Sequence, residues 1–406
     1  MKTNLSALKN NKNLALTLEG GGARGAYQIG AVKALYSEGY TFRAIVGTSI
    51  GAINAAYIVQ GDLEKIYKMW QEMSFKDLLE LDNEAMKKLF SAKLDINTIK
   101  YLSKKLGESI KNKGLDVKKE REILENDIDE EKIRNSNILF GLVTMCISDV
   151  NGKEMFACDI PKGKIVDYIM ASSNLPVFKR VVIDDKKYLD GGAFDNCPVH
   201  MLEKKGFKNV IVIRAHKRLK IRGYKGILKR GNITMHMISP IDSMPSILNF
   251  DSDNLNNLLK LGYFDALKYI KGLDGYRYYF NNVTDDEVEN ILYNISIQDI
   301  TNMLEKLNIK IVPEKNIKEI FFKKGIYTMS LFTKNKKILN TRAPIKDMFI
   351  SIIEELGIMF NVDKYKIYDL NEYVKILKEK IIKDINVNTN KIKKDNLIFI
   401  DFIRSI

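Results

Sequence analysis

The feature that most constrains this chain is a cluster of glycines directly after a short apolar segment. In LALTLEGGGARGAYQIGAV (residues 14–32), Gly20, Gly21, Gly22 and Gly25 occupy four of six consecutive positions. Glycine destabilises the interior of strands and helices, but it allows positive φ angles and close backbone approach. The segment therefore predicts either a tight structural turn or a loop whose backbone N–H groups face an anion.

The pattern of apolar residues around this cluster alternates between strand-like and helix-like segments. Residues 13–18 and 42–47 predict buried strands, and residues 23–40 and 49–61 predict helices. A β-α-β-α order is typical of a parallel sheet covered by helices. Further segments follow in the same manner: strands over 135–149 and 209–215, helices over 62–73 and 164–174, charged helical sequence continuing to about 135, a hairpin turn at Asn151-Gly152, and a hairpin over 180–192 that turns at Asp184-Asp185.

The second predicted strand runs into VGTSIGA, in which Gly47, Ser49 and Gly51 fit the pattern G-x-S-x-G. On a sharp strand-to-helix turn this pattern lifts the serine hydroxyl out of the backbone at the carboxyl edge of the sheet. The glycines are required because neighbouring backbone leaves no room for a Cβ atom. Ser49 is thus a candidate nucleophile.

The glycine cluster ends a parallel strand at the same edge, so its N–H groups could stabilise an oxyanion that forms when Ser49 attacks an acyl carbonyl. The alternative is a nucleotide-phosphate loop. However, GGGARG lacks the Lys-Ser/Thr end of a P-loop, and the next strand ends in Gly-Thr-Ser rather than in a ribose-binding acid. The sequence therefore favours an oxyanion loop.

A serine nucleophile needs a base. The chain contains only His200, His216 and His236, and none lies in an evident catalytic loop, although His216 follows a predicted strand. We expect these histidines to be surface or packed residues. The better candidate base is Asp190 in YLDGGAFDNCPV, which comes at a strand end before Gly191 and Gly192. A carboxylate in a partly dry site can accept the hydroxyl proton as the attack proceeds.

Together these segments resemble the three signatures of patatin-like phospholipases: EGGGARGAYQIG, GTSIGAINA and YLDGGAFDNCPV, in the expected order. MASSNLPVF (170–178) is similar to the segment that usually precedes the Asp-Gly-Gly motif, although Asn174 stands where a small apolar residue is commoner. LGYFDALKYI (261–270) resembles the helix that often closes the domain. The resemblance covers residues 10–275.

The resemblance implies a three-layer α/β/α sandwich with a mostly parallel central sheet. It implies Ser49 as nucleophile, Asp190 as its partner in a dyad, and hydrolysis of acyl esters in lipids without calcium, histidine or another cofactor. It assigns the oxyanion loop to Gly20, Gly21, Gly22, Arg24 and Gly25. Arg24 would either brace this loop or contact a lipid phosphate.

Residues 276–406 carry no catalytic motif, and we expect a smaller, mostly helical accessory region there. The segments 346–360 and 373–385 predict helices. In the second, Tyr373, Leu377, Ile381 and Ile382 share one side, which is compatible either with a membrane-surface helix or with packing against the protein.

Composition limits the remaining possibilities. A formal net charge of +14 favours anionic partners such as a membrane surface, although it also fits a lysine-rich composition of no functional meaning. Cys146, Cys158 and Cys197 have no spacing typical of a disulfide framework or a zinc site. Without an apolar leader or spanning segment, we expect a cytoplasmic protein, at most peripheral at a membrane.

The sequence thus predicts a lipid acyl hydrolase of the phospholipase A or lysophospholipase type, acting on a phospholipid or another acyl lipid, with no nucleic acid as partner. An acyltransferase or thioesterase with the same dyad is one alternative. A lipid-binding effector with little activity of its own is another, and a protein activator is compatible with all three.

Overall fold

The computed structural model describes residues 8–73, 117–176, 178–216, 221–222, 225, 231–241, 244–311, 316–333, 343–387 and 397–406. The chain divides into two compact units, Met1–Lys271 and Gly272–Ile406. Most of the charged sequence predicted to be helical between 73 and 135 lies outside the described residues. Secondary-structure elements are numbered below in chain order over the described part.

The first unit alternates strands and helices, as the periodicity predicts. Its strands are β1 Leu14–Leu18, β2 Ala44–Thr48, β3 Leu139–Cys146, β4 Asn151–Phe156, β5 Val181–Ile183, β6 Lys186–Asp190, β7 Asn209–Ile213 and β8 Thr234–Ile238. Its helices are α1 Gly25–Ser37, α2 Ile50–Val59, α3 Leu63–Glu72, α4 Lys118–Asp127, α5 Glu130–Asn135, α6 Ile165–Ser172, α7 Val199–Lys204 and α8 Ser252–Lys271.

The eight strands form one sheet with a parallel centre. β3, β2, β1, β7 and β8 lie side by side and run in the same direction. The hairpins β3–β4 and β5–β6 add antiparallel pairs at one side. The carboxyl ends of β1 and β2 therefore meet at one edge of the sheet, where the glycine cluster and Ser49 follow them.

Strand β3 pairs with two different strands along one of its edges. Its first half pairs with β2 up to Thr48 opposite Val143. Its second half pairs with β6, beginning with Asp190 opposite Thr144. Because β4 runs along the other edge of β3 past both of these positions, β2 and β6 must share the first edge and point at each other end to end.

Helices cover both faces of the sheet, which makes the predicted three-layer α/β/α sandwich. The side chains of Ala15, Val46 and Val210 alternate onto one face and pack with Val199 and Leu202 of α7 in a buried cluster. All five residues of β1 and of β2 are buried. Because both faces of these two strands are buried, their sequences are continuous apolar runs and do not alternate with polar residues.

The hairpin turn predicted at Asn151-Gly152 is wrong. These residues pair with Cys146 and Met145 inside the β3–β4 ladder, and the chain turns before them, with Val150 at a φ of +50°. A Cβ at Gly152 would lie 2.0 Å from the Phe194 ring, so packing explains this glycine. The turn between β5 and β6 lies at Asp184 and Asp185 as predicted, with φ values of +49° and +60°.

The second unit is mostly helical. Its helices are α9 Asp285–Tyr293, α10 Ile297–Lys306, α11 Ile317–Ile320, α12 Ile326–Leu331, α13 Ile345–Met359, α14 Leu370–Val387 and α15 Leu397–Ser405, with a π-helical turn Phe321–Gly325 and two short strands, β9 Tyr279–Phe280 and β10 Ile367–Tyr368. In α14, Tyr373, Leu377 and Ile381 are buried in this unit's own core, and Ile382 is exposed. Most of the apolar side of α14 is therefore used in packing and is not free for a membrane surface.

Candidate active site

Ser49 lies at the sharp turn between β2 and α2. Its backbone has a φ of +57° and a ψ of −128°, a region that side-chain-bearing residues rarely adopt and that costs about 1–3 kcal/mol. The flanking glycines permit the turn. A Cβ at Gly47 would lie 2.1 Å from the Gly51 carbonyl oxygen, and a Cβ at Gly51 would lie 2.3 Å from that of Leu18. The Ser49 hydroxyl is thus presented at the carboxyl edge of the sheet.

Asp190 reaches the same place from the opposite direction, as the last residue of β6. Its position next to Thr48 along the edge of β3 brings it beside Ser49. One carboxylate oxygen, Oδ1, accepts a hydrogen bond from the Gly192 N–H at 2.7 Å. The other, Oδ2, is buried and has no hydrogen-bond partner among the described residues. Asp190 therefore retains an acceptor oxygen within a site that also contains a serine hydroxyl.

The environment of Asp190 makes its carboxylate a better base. Burial raises the pKa of this carboxyl, while the Ser49 hydroxyl and the Gly192 N–H lower it, so that it reaches about 6. The base is accordingly ionised at neutral pH and stronger than an exposed aspartate.

The glycine cluster joins β1 to α1 and leaves two N–H groups unused. The N–H of Gly20 donates to the Asn196 carbonyl at 3.0 Å, and that of Ala23 donates to the Ile247 carbonyl at 2.7 Å. No acceptor in the described part of the chain takes a hydrogen bond from the N–H of Gly21 or Gly22. Of the predicted loop, these two donors are the ones available to an anion.

Close packing fixes the conformation of this loop. Gly22 has a φ of +55°, and a Cβ there would lie 2.2 Å from the Ile247 carbonyl oxygen. Arg24 donates to the Pro245 carbonyl through Nε at 2.8 Å and to the Ala215 carbonyl through Nη1 at 3.2 Å. Both contacts tie the loop to neighbouring segments, so the guanidinium braces it.

Glu19, the residue before the glycine cluster, is fully buried, and its hydrogen bonds hold the start of the loop in place. Its carboxylate accepts two hydrogen bonds from the Arg214 guanidinium, at 3.0 and 2.9 Å, and further bonds from the N–H groups of Ala215 and His216 at 2.7 and 3.0 Å. Burial raises the Glu19 pKa, but hydrogen bonds from His216 and Arg214 outweigh it and leave the pKa lowered. Neither Glu19 nor Arg214 was predicted from the sequence.

The segment 172–174, at the end of α6, holds both dyad candidates. Ser172 Oγ accepts from the Ser49 N–H at 2.9 Å and donates to the Val143 carbonyl at 2.7 Å. The Asn174 carbonyl accepts from the Asp190 N–H at 2.7 Å, and its side chain donates to the Lys179 carbonyl. In the sequence, the feature that could have pointed to these residues is a run of polar side chains at the end of an apolar helix.

The three histidines lie in different surroundings. His200, on α7, is 3.0 Å from Glu203 through Nδ1. His236 is buried in β8, and burial lowers its pKa. His216 lines the cavity at the active site, where its Nδ1 lies 3.6 Å from the Glu19 carboxylate.

A cavity of about 810 Å³ opens onto Ser49, Asp190 and the glycine loop. Most of its other walls are apolar, with side chains that include Ile53, Ile66, Met69, Trp70, Ile123, Leu124, Leu175, Phe178, Leu248 and Phe250. Trp70 is fully buried, stacks on Phe250 at 6.2 Å and donates through its indole N–H to the Asn54 side chain. An apolar chain attached to a polar reacting group matches this lining.

Two features are absent from the described ranges. Within them, no group of three or more His, Cys, Asp or Glu side chains is arranged to hold a metal ion. Also within them, no helix combines the length and apolar character that crossing a bilayer requires.

One family model, described as Patatin-like phospholipase, matches residues 16–203 of the 406-residue chain. Among solved structures, VipD from Legionella pneumophila aligns at 15% identity over 96% of this chain and 83% of its own, with a TM-score of 0.38.

Two further solved structures align at lower identity or TM-score. Human GIVD cytosolic phospholipase A2, in complex with methyl gamma-linolenyl fluorophosphonate, gives 10% identity over 63% and 57%, with a TM-score of 0.36. ExoU from Pseudomonas aeruginosa, in complex with SpcU, gives 14% over 97% and 73%, with a TM-score of 0.32. A search of curated proteins returned no significant match.

Proposed function

We propose, from the premise that this chain carries a patatin-like phospholipase domain over residues 16–203, that it hydrolyses acyl esters of lipids with Ser49 and Asp190 as a catalytic dyad. The observation that carries the proposal is the shared edge of β3, where β2 and β6 meet end to end at an apolar cavity. It supports the proposal because a serine follows the end of one strand and, at the end of the other, a carboxylate oxygen accepts no hydrogen bond from the described residues.

In the first half of the reaction, Ser49 Oγ attacks the ester carbonyl carbon while Asp190 takes the hydroxyl proton. The N–H groups of Gly21 and Gly22 stabilise the negative charge that develops on the carbonyl oxygen. The C–O bond to the alcohol then breaks, and the alcohol leaves with the proton from Asp190. The product is an acyl ester on Ser49.

In the second half, water attacks the acyl-enzyme and gives a proton to Asp190. The same two N–H groups stabilise the second tetrahedral intermediate. Its collapse releases the fatty acid and returns the proton to Ser49. Asp190 thus acts as base and acid in turn, and neither a metal nor a histidine is needed.

The substrate class follows from the cavity. A volume of about 810 Å³ with mostly apolar walls fits a fatty acyl chain whose ester lies at Ser49. We therefore favour phospholipids, lysophospholipids or other acyl lipids over small polar esters. Lipids of this kind are presented in bilayers or micelles, so a peripheral contact with a membrane surface belongs to the same proposal.

The test combines a fluorophosphonate probe with a panel of labelled phospholipids and lysophospholipids, in vesicles and in micelles, without calcium. We expect wild type to be labelled and to release fatty acid, and Ser49→Ala and Asp190→Asn to do neither while remaining folded. Undiminished hydrolysis by Ser49→Ala would contradict the proposal. Acyl transfer to an added lipid alcohol in excess of release to water would favour the acyltransferase alternative.

A further inference from the structure

Glu120 is a second carboxylate in the cavity, and it has no role in the ester hydrolysis proposed for Ser49 and Asp190. It lies in the first turn of α4 and lines the same cavity as Ser49 and Asp190. The residue is half-buried because its side chain forms part of the cavity wall. Its Oε1 accepts a hydrogen bond from Ser173 Oγ at 3.2 Å. A carboxylate in a largely apolar wall loses part of its hydration, and groups with such a cost cluster at functional sites.

The hydrogen bond connects Glu120 to the segment that holds the dyad. Ser173 lies between Ser172, whose hydroxyl accepts from the Ser49 N–H, and Asn174, whose carbonyl accepts from the Asp190 N–H. Glu120 is therefore hydrogen-bonded to the segment 172–174, which contacts both residues of the proposed dyad.

The negative charge of Asp190 affects the pKa of the Glu120 carboxyl. Burial raises the pKa of the Glu120 carboxyl, the hydrogen bond from Ser173 lowers it, and the Asp190 charge raises it again, to about 7. Two carboxyls that repel each other titrate as a pair, in two steps. Asp190 ionises in the first step and Glu120 in the second, close to neutral pH.

Glu120 is linked to Asp190 through the segment 172–174. Ser173 donates a hydrogen bond to Glu120, and the carbonyl of the next residue, Asn174, accepts one from the Asp190 N–H. The described hydrogen bonds of the glycine loop involve Asn196 and Ile247 instead. We therefore expect a negative charge on Glu120 to act more strongly on Asp190 than on an oxyanion at Gly21 and Gly22.

Other charged and titratable groups surround this pair. Arg121, the next residue of α4, is engaged by Asp167 of α6 and by Glu125. The remaining groups on the elements and cavity walls around Glu120 are Lys118, Lys119, Glu122, Asp127, Tyr168, Lys179, Arg180, Tyr57, Asp195, His216 and Arg222. The charge that acts on the Glu120 carboxyl is that of Asp190.

We propose that Glu120 is a positioning residue that acts on the dyad through Asp190: once ionised, its carboxylate makes Asp190 a stronger base for the Ser49 proton. The inference rests on the proposed function. During attack, negative charge moves from Asp190 to the carbonyl oxygen, away from Glu120. Ionised Glu120 therefore favours this movement, and the rate rises with pH in two steps, the second belonging to Glu120.

The experiment measures the rate of fluorophosphonate labelling of the full chain from pH 5 to pH 9. In Glu120→Gln we expect the second step to vanish and the high-pH rate to fall about two- to fivefold, because rate follows basicity only in part. The remaining step, that of Asp190, should keep its midpoint, because Asp190 ionises while Glu120 is still uncharged and glutamine is uncharged as well. The rate between the two steps should also stay as in wild type, whereas a loss of packing alone would lower the rate at every pH.

Glu122→Gln is the matched control, since Glu122 lies exposed on the same helix; it should reproduce the wild-type profile. Ser173→Ala is an independent variant, which removes the hydrogen bond that lowers the Glu120 pKa and should move the second step to higher pH. A second step that persists in Glu120→Gln, or an unshifted second step in Ser173→Ala, would overturn the inference alone. Absence of Ser49 labelling in wild type would overturn the proposed function and this inference with it.

Discussion

Thr48 and Asp190 occupy adjacent positions along one edge of β3, opposite Val143 and Thr144. They belong to strands that are distant in sequence and run in opposite directions. The pairing of β3 with both strands therefore fixes the position of Ser49 relative to the Asp190 carboxylate. Since strands are positioned more rigidly than loops, this edge is a favourable place for the two groups of the proposed dyad.

The strained backbone of Ser49 yields a prediction that separates stability from activity. Both Ser49→Ala and Ser49→Gly should abolish labelling and hydrolysis. Glycine adopts a φ of +57° without strain, so Ser49→Gly should be more stable than Ser49→Ala by about 1 kcal/mol. Chemical denaturation of the two variants measures the difference. A glycine variant less stable than the alanine variant would show that the turn is not strained.

Ser172 should be required for the position of Ser49. Its hydroxyl bridges the Ser49 N–H and the Val143 carbonyl inside the protein, so Ser172→Ala leaves two buried polar groups without a partner. We expect a loss of about 1–3 kcal/mol in the free energy of unfolding, together with slower labelling of Ser49. Ser37→Ala, which removes an exposed hydroxyl that bonds Ala34 at the end of α1, is the control and should change neither quantity.

Burial of Asp190 predicts a pH dependence of stability. The folded-state pKa of about 6 lies above the ordinary value of 3.8, so the native state holds the proton more tightly than the unfolded chain. This contribution is fully present below pH 3.8 and is lost as the pH rises through 6. The resulting cost at neutral pH is about 2–3 kcal/mol.

Asp190→Asn removes the titrating group, so its free energy of unfolding should fall less between pH 4 and pH 7 than that of wild type. Denaturation curves at both pH values measure this. An identical fall in the two proteins would mean that Asp190 keeps its ordinary pKa in the folded state. Hydrolysis by the variant should be lost at every pH, because an amide cannot accept the Ser49 proton.

The order of strands and helices at the start of the first unit could be predicted because β1 and β2 are short apolar runs and α1 and α2 begin after glycine turns. The Asn151-Gly152 turn was predicted wrongly, since the same dipeptide also suits a strand in which Phe194 occupies the space of a side chain. Strand β8 was not predicted. Its Thr234, Met235, His236 and Met237 interrupt the apolar run that marked the other central strands.

The site was partly predictable for a similar reason. Local motifs mark Ser49, Asp190 and the glycine loop, because each sits in a short stretch with unusual glycine content. Their supports, Glu19 with Arg214 and Ser172 with Val143, are contacts between distant segments, and no spacing in the sequence reveals them. The sequence also does not predict which N–H groups of the loop lack a hydrogen bond, because this depends on the carbonyls of Asn196 and Ile247, which are distant in sequence.

Substitution of Arg24 tests which of its two predicted roles applies: bracing the glycine loop or contacting a lipid phosphate. The guanidinium donates to the Pro245 and Ala215 carbonyls, and a side chain engaged in this way is poorly placed to select a lipid phosphate. Arg24→Ala should therefore slow hydrolysis of an anionic phospholipid and of an uncharged acyl ester by the same factor, about tenfold or more, because the loop loses its brace. Parallel kinetics on the two substrates in micelles give the ratio, and Arg43→Ala, at an exposed arginine before β2, controls for the loss of positive charge. A selective loss of activity toward the anionic lipid would instead assign the guanidinium to the phosphate.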